Sequence, residues 1–282
     1  MSIDISPSLS GFGANIRGVD LSSRLDEDTT RTLRNAWLAH QVVSFPDQPL
    51  THDQLERFTT RFGEFGDDPY VEAMAGHANI LEIRRDASEK ASPFGSSWHS
   101  DWSFQQTPPA ATILHAKVVP PVGGDTWFAN SYAAFDALDD ATRQHLGTLT
   151  AIHSARGPYS RQGYFANNSE ARSMTILPND SALSTQEHPL IRSHPETGRK
   201  CLWVNSVYTI GIKGMSESES RKLLKKLCEH SVQPQFVYKL KWQPDMLTMW
   251  DNRCVQHSAQ GGYDGYQRIM HRTTVAGSQP YL

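Results

Sequence analysis

The chain has 282 residues, enough to bury a sizeable core, and a formal net charge of -3, which leaves no basic footprint for nucleic acid. No apolar run of about 18 residues is present to suggest a membrane-spanning helix, and the stretch from Met1 to Asp20 lacks the charged-then-apolar pattern of a secretion signal. Three cysteines (Cys201, Cys228 and Cys254) without CxxC spacing argue against a disulfide framework or a zinc finger, so the expected setting is reducing and cytoplasmic.

In chain order, Gly11 to Leu21 reads as a short strand closed by a turn. Asp26 to Leu38 has helical periodicity, with Leu33, Ala36 and Trp37 on one side. His40 to Phe45 reads as a buried strand, and Pro46 to Pro49 turns the chain. A second helix starts at Thr51, where Gln54 completes a capping box, and ends at Gly63. From Ala111 onward strand-like runs recur at Ala111 to Val119, Thr126 to Ala129, Leu149 to Ser154, Lys200 to Val204, Phe236 to Trp242, Met246 to Trp250 and Arg268 to Val275. Helices are expected at Ser131 to His145 and Ser216 to His230, the latter with a Ser216/Glu219 capping box and a Leu223, Leu224, Leu227 stripe. So few helices between strands speak against parallel βαβ alternation. The expected class is α+β, a jelly roll (double-stranded β-helix) with helices packed outside. The polar stretch 156–187 reads as a loop near the mouth of a site. No repeat or linker divides the chain, which gives one domain over 1–282.

The chemistry concentrates in Ser97-Trp98-His99-Ser100-Asp101-Trp102. If this segment is extended, residues two apart point the same way, so His99 and Asp101 converge. One more imidazole, with His257 as the candidate, completes the two-His-one-carboxylate face of non-heme Fe(II) oxygenases. Among 12 histidines an isolated HxD is weak evidence. In Gln267-Arg268-Ile269-Met270-His271-Arg272, a strand would place Arg268, Met270 and Arg272 on one face. Two inward guanidiniums call for anions, whereas a solvated sheet face would explain them equally well. His271, on the opposite face, is expected to be structural and hydrogen-bonded to backbone.

The chain resembles the taurine dioxygenase and 2,4-dichlorophenoxyacetate dioxygenase family of Fe(II)- and 2-oxoglutarate-dependent oxygenases. The resemblance runs in order through Gly18-Val19-Asp20-Leu21, Arg61-Phe62-Gly63-Glu64, Trp98-His99-Ser100-Asp101, Gly123-Gly124-Asp125-Thr126, His194-Pro195, Trp250-Asp251-Asn252-Arg253 with His257, and Arg268 to Arg272. It implies that His99, Asp101 and His257 hold the iron and that Arg268, helped by Thr126, binds the distal carboxylate of 2-oxoglutarate. It also implies that Arg272 binds an anionic group of the substrate, with Trp250 as a wall near the metal. The implied reaction uses O2, releases succinate and CO2, and hydroxylates a small anionic molecule. Oligomers are common in the family, so a homo-oligomer is expected. Two positions depart from the taurine pattern: Asp68 and Gly95 stand where those enzymes carry a His and an Asn near the sulfonate. An ionised Asp repels a sulfonate, which favours a carboxylate, sulfonate, sulfate ester or phosphorus oxyanion other than taurine. Asp68 and Gly95 are expected at the substrate, with Asp68 meeting an amine or hydroxyl at its other end. Taurine dioxygenase proper, releasing sulfite, and an aryloxyalkanoate dioxygenase are the alternatives. A zinc hydrolase would leave Arg268 without a task, and a non-catalytic binding protein would not need an intact triad.

Overall fold

Strand-forming runs from both ends of the chain pair into one large sheet. A computed structural model describes residues 3–168 and 170–282; Met1, Ser2 and Ser169 lie outside it. The large sheet has eight strands in the order Asp4–Pro7, Ala14–Arg17, Val42–Phe45, Leu247–Asp251, Ala111–Val118, Arg268–Val275, His77–Arg85 and Ala73–Met74. Its neighbours are antiparallel except for Ala14–Arg17 beside Val42–Phe45. A three-stranded sheet (Val237–Leu240, Thr126–Asn130, Val255–Ala259) faces it, and a second joins Thr209–Ile212, Thr150–Ser154 and Thr185–Pro189.

Side-chain alternation divides the core into two layers. Val43, Phe45, Ile113 and Met249 point outward under the helices Glu27–His40 and His52–Thr60, where they meet Leu33, Trp37, Leu55 and Phe58. Burying a side chain such as Leu33, Leu55 or Phe58 contributes roughly 1.5–3 kcal/mol each. Val42, Leu114, Trp250 and Met270 point the other way, onto Phe128, Leu240 and Val255 of the smaller sheet. The functional residues lie between these two sheets.

Helix ends follow their capping chemistry. Thr51 with Gln54 and Ser216 with Glu219 both form the expected capping boxes, opening the helices His52–Thr60 and Glu217–Ser231. The helix expected over Ser131 to His145 is two, Ser131–Asp136 and Asp140–Leu146, because Asp139 starts a new one by accepting the Thr142 N–H. The strand expected from Phe236 follows a 3-10 turn at Pro234–Phe236. Stretch 156–187 is less bare than expected, carrying helical turns at Arg156–Tyr159, Tyr164–Asn167 and Asp180–Leu183; Ser169 within it lies outside the described residues. Among the described residues no helix is long and apolar enough to cross a membrane.

Candidate metal centre

His99 and Asp101 do not sit on a strand. His99 makes a single-residue antiparallel bridge to His257, and the chain turns at Asp101. Strand alternation is therefore the wrong reason for the right convergence. The two imidazole-bearing residues exchange both backbone hydrogen bonds, His99 N–H to His257 O at 3.1 Å and His257 N–H to His99 O at 2.8 Å. Each histidine thus fixes the register of the other. Their ring centroids are 4.2 Å apart, and Asp101 Oδ1 lies 3.5 Å from His99 Nε2 and 3.8 Å from His257 Nε2.

The protonation states suit a cation. His99 Nδ1 lies 2.7 Å from the Ser97 carbonyl, which fixes Nδ1–H as donor and leaves the Nε2 lone pair free. Burial pushes His257 down to about 3, keeping it neutral. Burial alone would raise the Asp101 carboxyl, but Arg272 and the two imidazoles hold it well below the usual carboxylate range. Its Oδ2 accepts from Thr112 Oγ1 at 2.6 Å; Thr112 accepts from Asn252 Nδ2 at 2.8 Å, and Asn252 accepts from Trp250 Nε1 at 3.0 Å. Three electron-pair donors, all within 4.8 Å of one another and buried, fit a metal of the facial-triad class.

A second buried group, His194, Asp251 and Cys254, looks similar in composition. There both imidazole nitrogens are used: Nδ1 accepts the Glu196 and Thr197 N–H groups, and Nε2 meets Asp251 Oδ2 at 3.0 Å. Asp251 also holds Arg253, so this group clamps the chain and leaves no histidine lone pair for an ion.

Two cavities meet at the triad. The larger, about 460 Å³, runs past His99, Asp101 and Arg272 to segment 156–187. The smaller recess, about 50 Å³, lies between His257, Trp250, Thr126 and Arg268. Arg268 is buried with its Nε unpartnered, and among the described residues it forms no salt bridge. Thr126 Oγ1 accepts from the Trp242 indole at 2.9 Å, and Trp250 stands 4.7 Å from the His257 ring.

Arg272 shares the strand face with Arg268 but has company. Its Nη2 is 3.0 Å from Asp68 Oδ1 and 3.6 Å from Asp101 Oδ1. Asp68 also accepts from the Trp102 indole at 2.5 Å and from Thr274 Oγ1 at 3.0 Å, so its carboxylate faces Arg272 and the protein rather than the cavity. Gly95 borders both cavities with φ +76°, and a Cβ there would sit 3.2 Å from His99 Cε1; its missing side chain makes room for the imidazole. His271 lies on the outer face as expected but not on backbone. Its Nδ1 is unpartnered, its Nε2 is 3.6 Å from Glu82, and its ring rests 4.8 Å from His52. Thr112, Asn252, Ser97 and Arg172 belong to the site and were not singled out from the sequence. Asn252 and Ser97 lay inside quoted motifs that could have pointed to them; Thr112 and Arg172 did not.

The model of the "Taurine catabolism dioxygenase TauD, TfdA family" matches residues 4–274. The chain belongs to this family. It is 33% identical over 283 residues to the (S)-phenoxypropionate/alpha-ketoglutarate-dioxygenase of Sphingobium herbicidovorans, covering 98% of this chain and 96% of that one. It is also 33% identical to an alkylsulfatase of Acinetobacter baylyi, covering 94% of this chain and 82% of the relative. Among solved structures, AAD-2 in complex with Mn(II) and N-oxalylglycine superposes with a TM-score of 0.81 at 32% identity, over 100% of both chains.

Proposed function

We propose that the chain is an Fe(II)- and 2-oxoglutarate-dependent dioxygenase that hydroxylates a small anionic molecule and releases succinate and CO2. The carrying observation is the bridge that holds the His99 and His257 rings beside one another and next to Asp101. Support comes from the family and from a similar structure that holds a divalent metal with N-oxalylglycine, in which an NH replaces a CH2 of 2-oxoglutarate. In this reading residues 1–282 form one domain, and the two facing sheets are the walls of a double-stranded β-helix. A cytoplasmic homo-oligomer belongs to the same reading, and three free thiols agree with that compartment.

When bound, iron and 2-oxoglutarate supply the oxidising chemistry with O2. The protein supplies position and charge. His99 turns its Nε2 toward the site, His257 is held neutral by burial, and Arg272 keeps Asp101 ionised. Thr112 donates to the outer carboxylate oxygen, fixing which oxygen faces the metal. In the smaller recess Arg268, without a salt bridge among the described residues, receives the distal carboxylate of 2-oxoglutarate, with Thr126 beside it and Trp250 as the wall. The substrate takes the larger cavity, whose wall includes His99 and Asp101.

The test is release of succinate from 2-oxoglutarate during a screen of small carboxylates, sulfonates, sulfate esters and phosphonates. Release that requires Fe(II), 2-oxoglutarate and O2 together is expected. Turnover of an ester with a metal but without 2-oxoglutarate would replace this reading with a hydrolase.

A further inference from the structure

The resemblance assigns the substrate's anion to Arg272, but that cation is already answered by Asp68 at 3.0 Å and Asp101 at 3.6 Å. A third negative group would enter beside two carboxylates, and like charges at such range repel. Asp68 cannot swing away cheaply, because Trp102 and Thr274 hold both of its oxygens.

The larger cavity has a second cation, Arg172, carried by the stretch between Tyr164–Asn167 and Asp180–Leu183. Its side chain is only 10% exposed and its Nε has no hydrogen-bond partner. Nη1 donates to the Ser92 carbonyl at 3.0 Å, and the guanidinium lies 5.0 Å from the Phe165 ring centroid. Glu89 Oε1 forms an ion pair with it at 3.9 Å, beyond hydrogen-bond distance, while Glu89 Oε2 accepts the Ser173 N–H at 2.8 Å and its hydroxyl at 2.6 Å. Arg172 makes no hydrogen bond or ion pair with the triad. A buried guanidinium with an open Nε donor and only a long ion pair is costly until an anion hydrogen-bonds to it. The walls of the same cavity are aromatic: Phe94, Trp102, Tyr159, Tyr164, Phe165 and Tyr208. Such walls hold an apolar, ring-sized group, not a two-carbon chain.

We propose that Arg172 seats the substrate's anion and that Asp68 withdraws Arg272 from that role. The substrate is then an acid whose carboxylate or sulfate is separated from the oxidised carbon by an apolar, ring-sized segment. This rests on the dioxygenase reading above, deepening its substrate class.

The test is calorimetric binding of ω-phenylalkanoates, from phenylacetate to 6-phenylhexanoate, to the metal-free protein, beside the corresponding neutral amides. Wild type is expected to bind at least one acid more tightly than its amide. Arg172→Gln is expected to weaken that acid by about tenfold or more while leaving the amide unchanged, and Arg172→Lys to restore part of the loss. Asp68→Asn is expected to leave the acid's affinity unchanged and to admit taurine or other short sulfonates. Equal acid affinity in Arg172→Gln, or no binding of any acid by wild type, overturns the proposal. Loss of the amide along with the acid in Arg172→Gln overturns it too, since the arginine then only holds the cavity's shape. Iron- and 2-oxoglutarate-dependent succinate release is measured separately. If release persists while Arg172→Gln binds normally, only this proposal falls; if release is absent, the dioxygenase reading itself falls.

Discussion

Arg268 and Arg272 stand four residues apart on one face of one strand, both buried, in opposite electrostatic states. Arg272 has two carboxylates in range, and Arg268 forms no salt bridge among the described residues. Desolvation lowers the Arg268 pKa, with only Tyr263 and Asp125 pulling the other way at a distance. For Arg272 desolvation also pulls down, but Asp101 and Asp68 outweigh it and raise the value. The Nε of each is unpartnered, so what separates them is the carboxylates: Arg272 has two within the protein, and Arg268 has none among the described residues. Residue type and strand periodicity are the same for both, so only the neighbours decide which of them is a ligand-binding group.

This contrast can be broken by substitution. Arg272→Gln strips the cation from two buried carboxylates, and a loss of about 3–5 kcal/mol is expected in urea unfolding. A loss below about 1 kcal/mol would mean the pair is solvated and the contrast false. Arg268→Gln is expected to leave the melting temperature unchanged or higher, because it removes a buried charge without a partner. The same variant should weaken 2-oxoglutarate binding by about 10- to 100-fold, read by calorimetry. A drop in stability without a drop in 2-oxoglutarate affinity would reverse the two roles. Thr112→Val tests the support of Asp101 and should cost about tenfold in Fe(II) affinity with the fold intact.

The outer face of this strand and its neighbour Ala111–Val118 gives the most gradual effect. Burial pushes His271 and His115 down to about 4 from an ordinary value of 6.5. His52 and Lys117 bear on His271, and Lys117 and Asp245 on His115. The folded-state pKa is depressed, so the unfolded chain takes up these protons first. The stability they allow is present above about pH 6.5 and is lost progressively as pH falls toward 4. Chemical denaturation at steps across that range is expected to show the decline. The double variant His115→Asn, His271→Asn should flatten it, and an unchanged slope would assign the acid sensitivity elsewhere.

Much of this was legible in the sequence where short-range chemistry decides. The capping boxes at Thr51 and Ser216 fixed two helix starts, and the Leu33, Ala36, Trp37 periodicity picked out residues that are all buried. The strand Arg268–Val275 matches the expected limits, because four of its residues, Ile269, Thr273, Thr274 and Val275, are β-branched. Val255–Ala259 was not legible, since its buried residues include Gln256, His257 and Ser258, which read as polar loop. His77–Arg85 was hidden in the same way by its charges. In the site, the triad could be named from motif resemblance, but the His99–His257 bridge that positions it is a contact across 158 positions of the chain. The pairing of Asp68 with Arg272 likewise spans 204 positions, and no local pattern signals it.

The account rests on an ion held between His99, Asp101 and His257, and anomalous diffraction from crystals grown with Mn(II) and 2-oxoglutarate tests that most directly. The expected result is one strong peak about 2.0–2.3 Å from His99 Nε2, His257 Nε2 and an Asp101 oxygen, with 2-oxoglutarate reaching from it to Arg268. A peak at His194, Asp251 and Cys254, or no peak between the two bridged histidines, would contradict it.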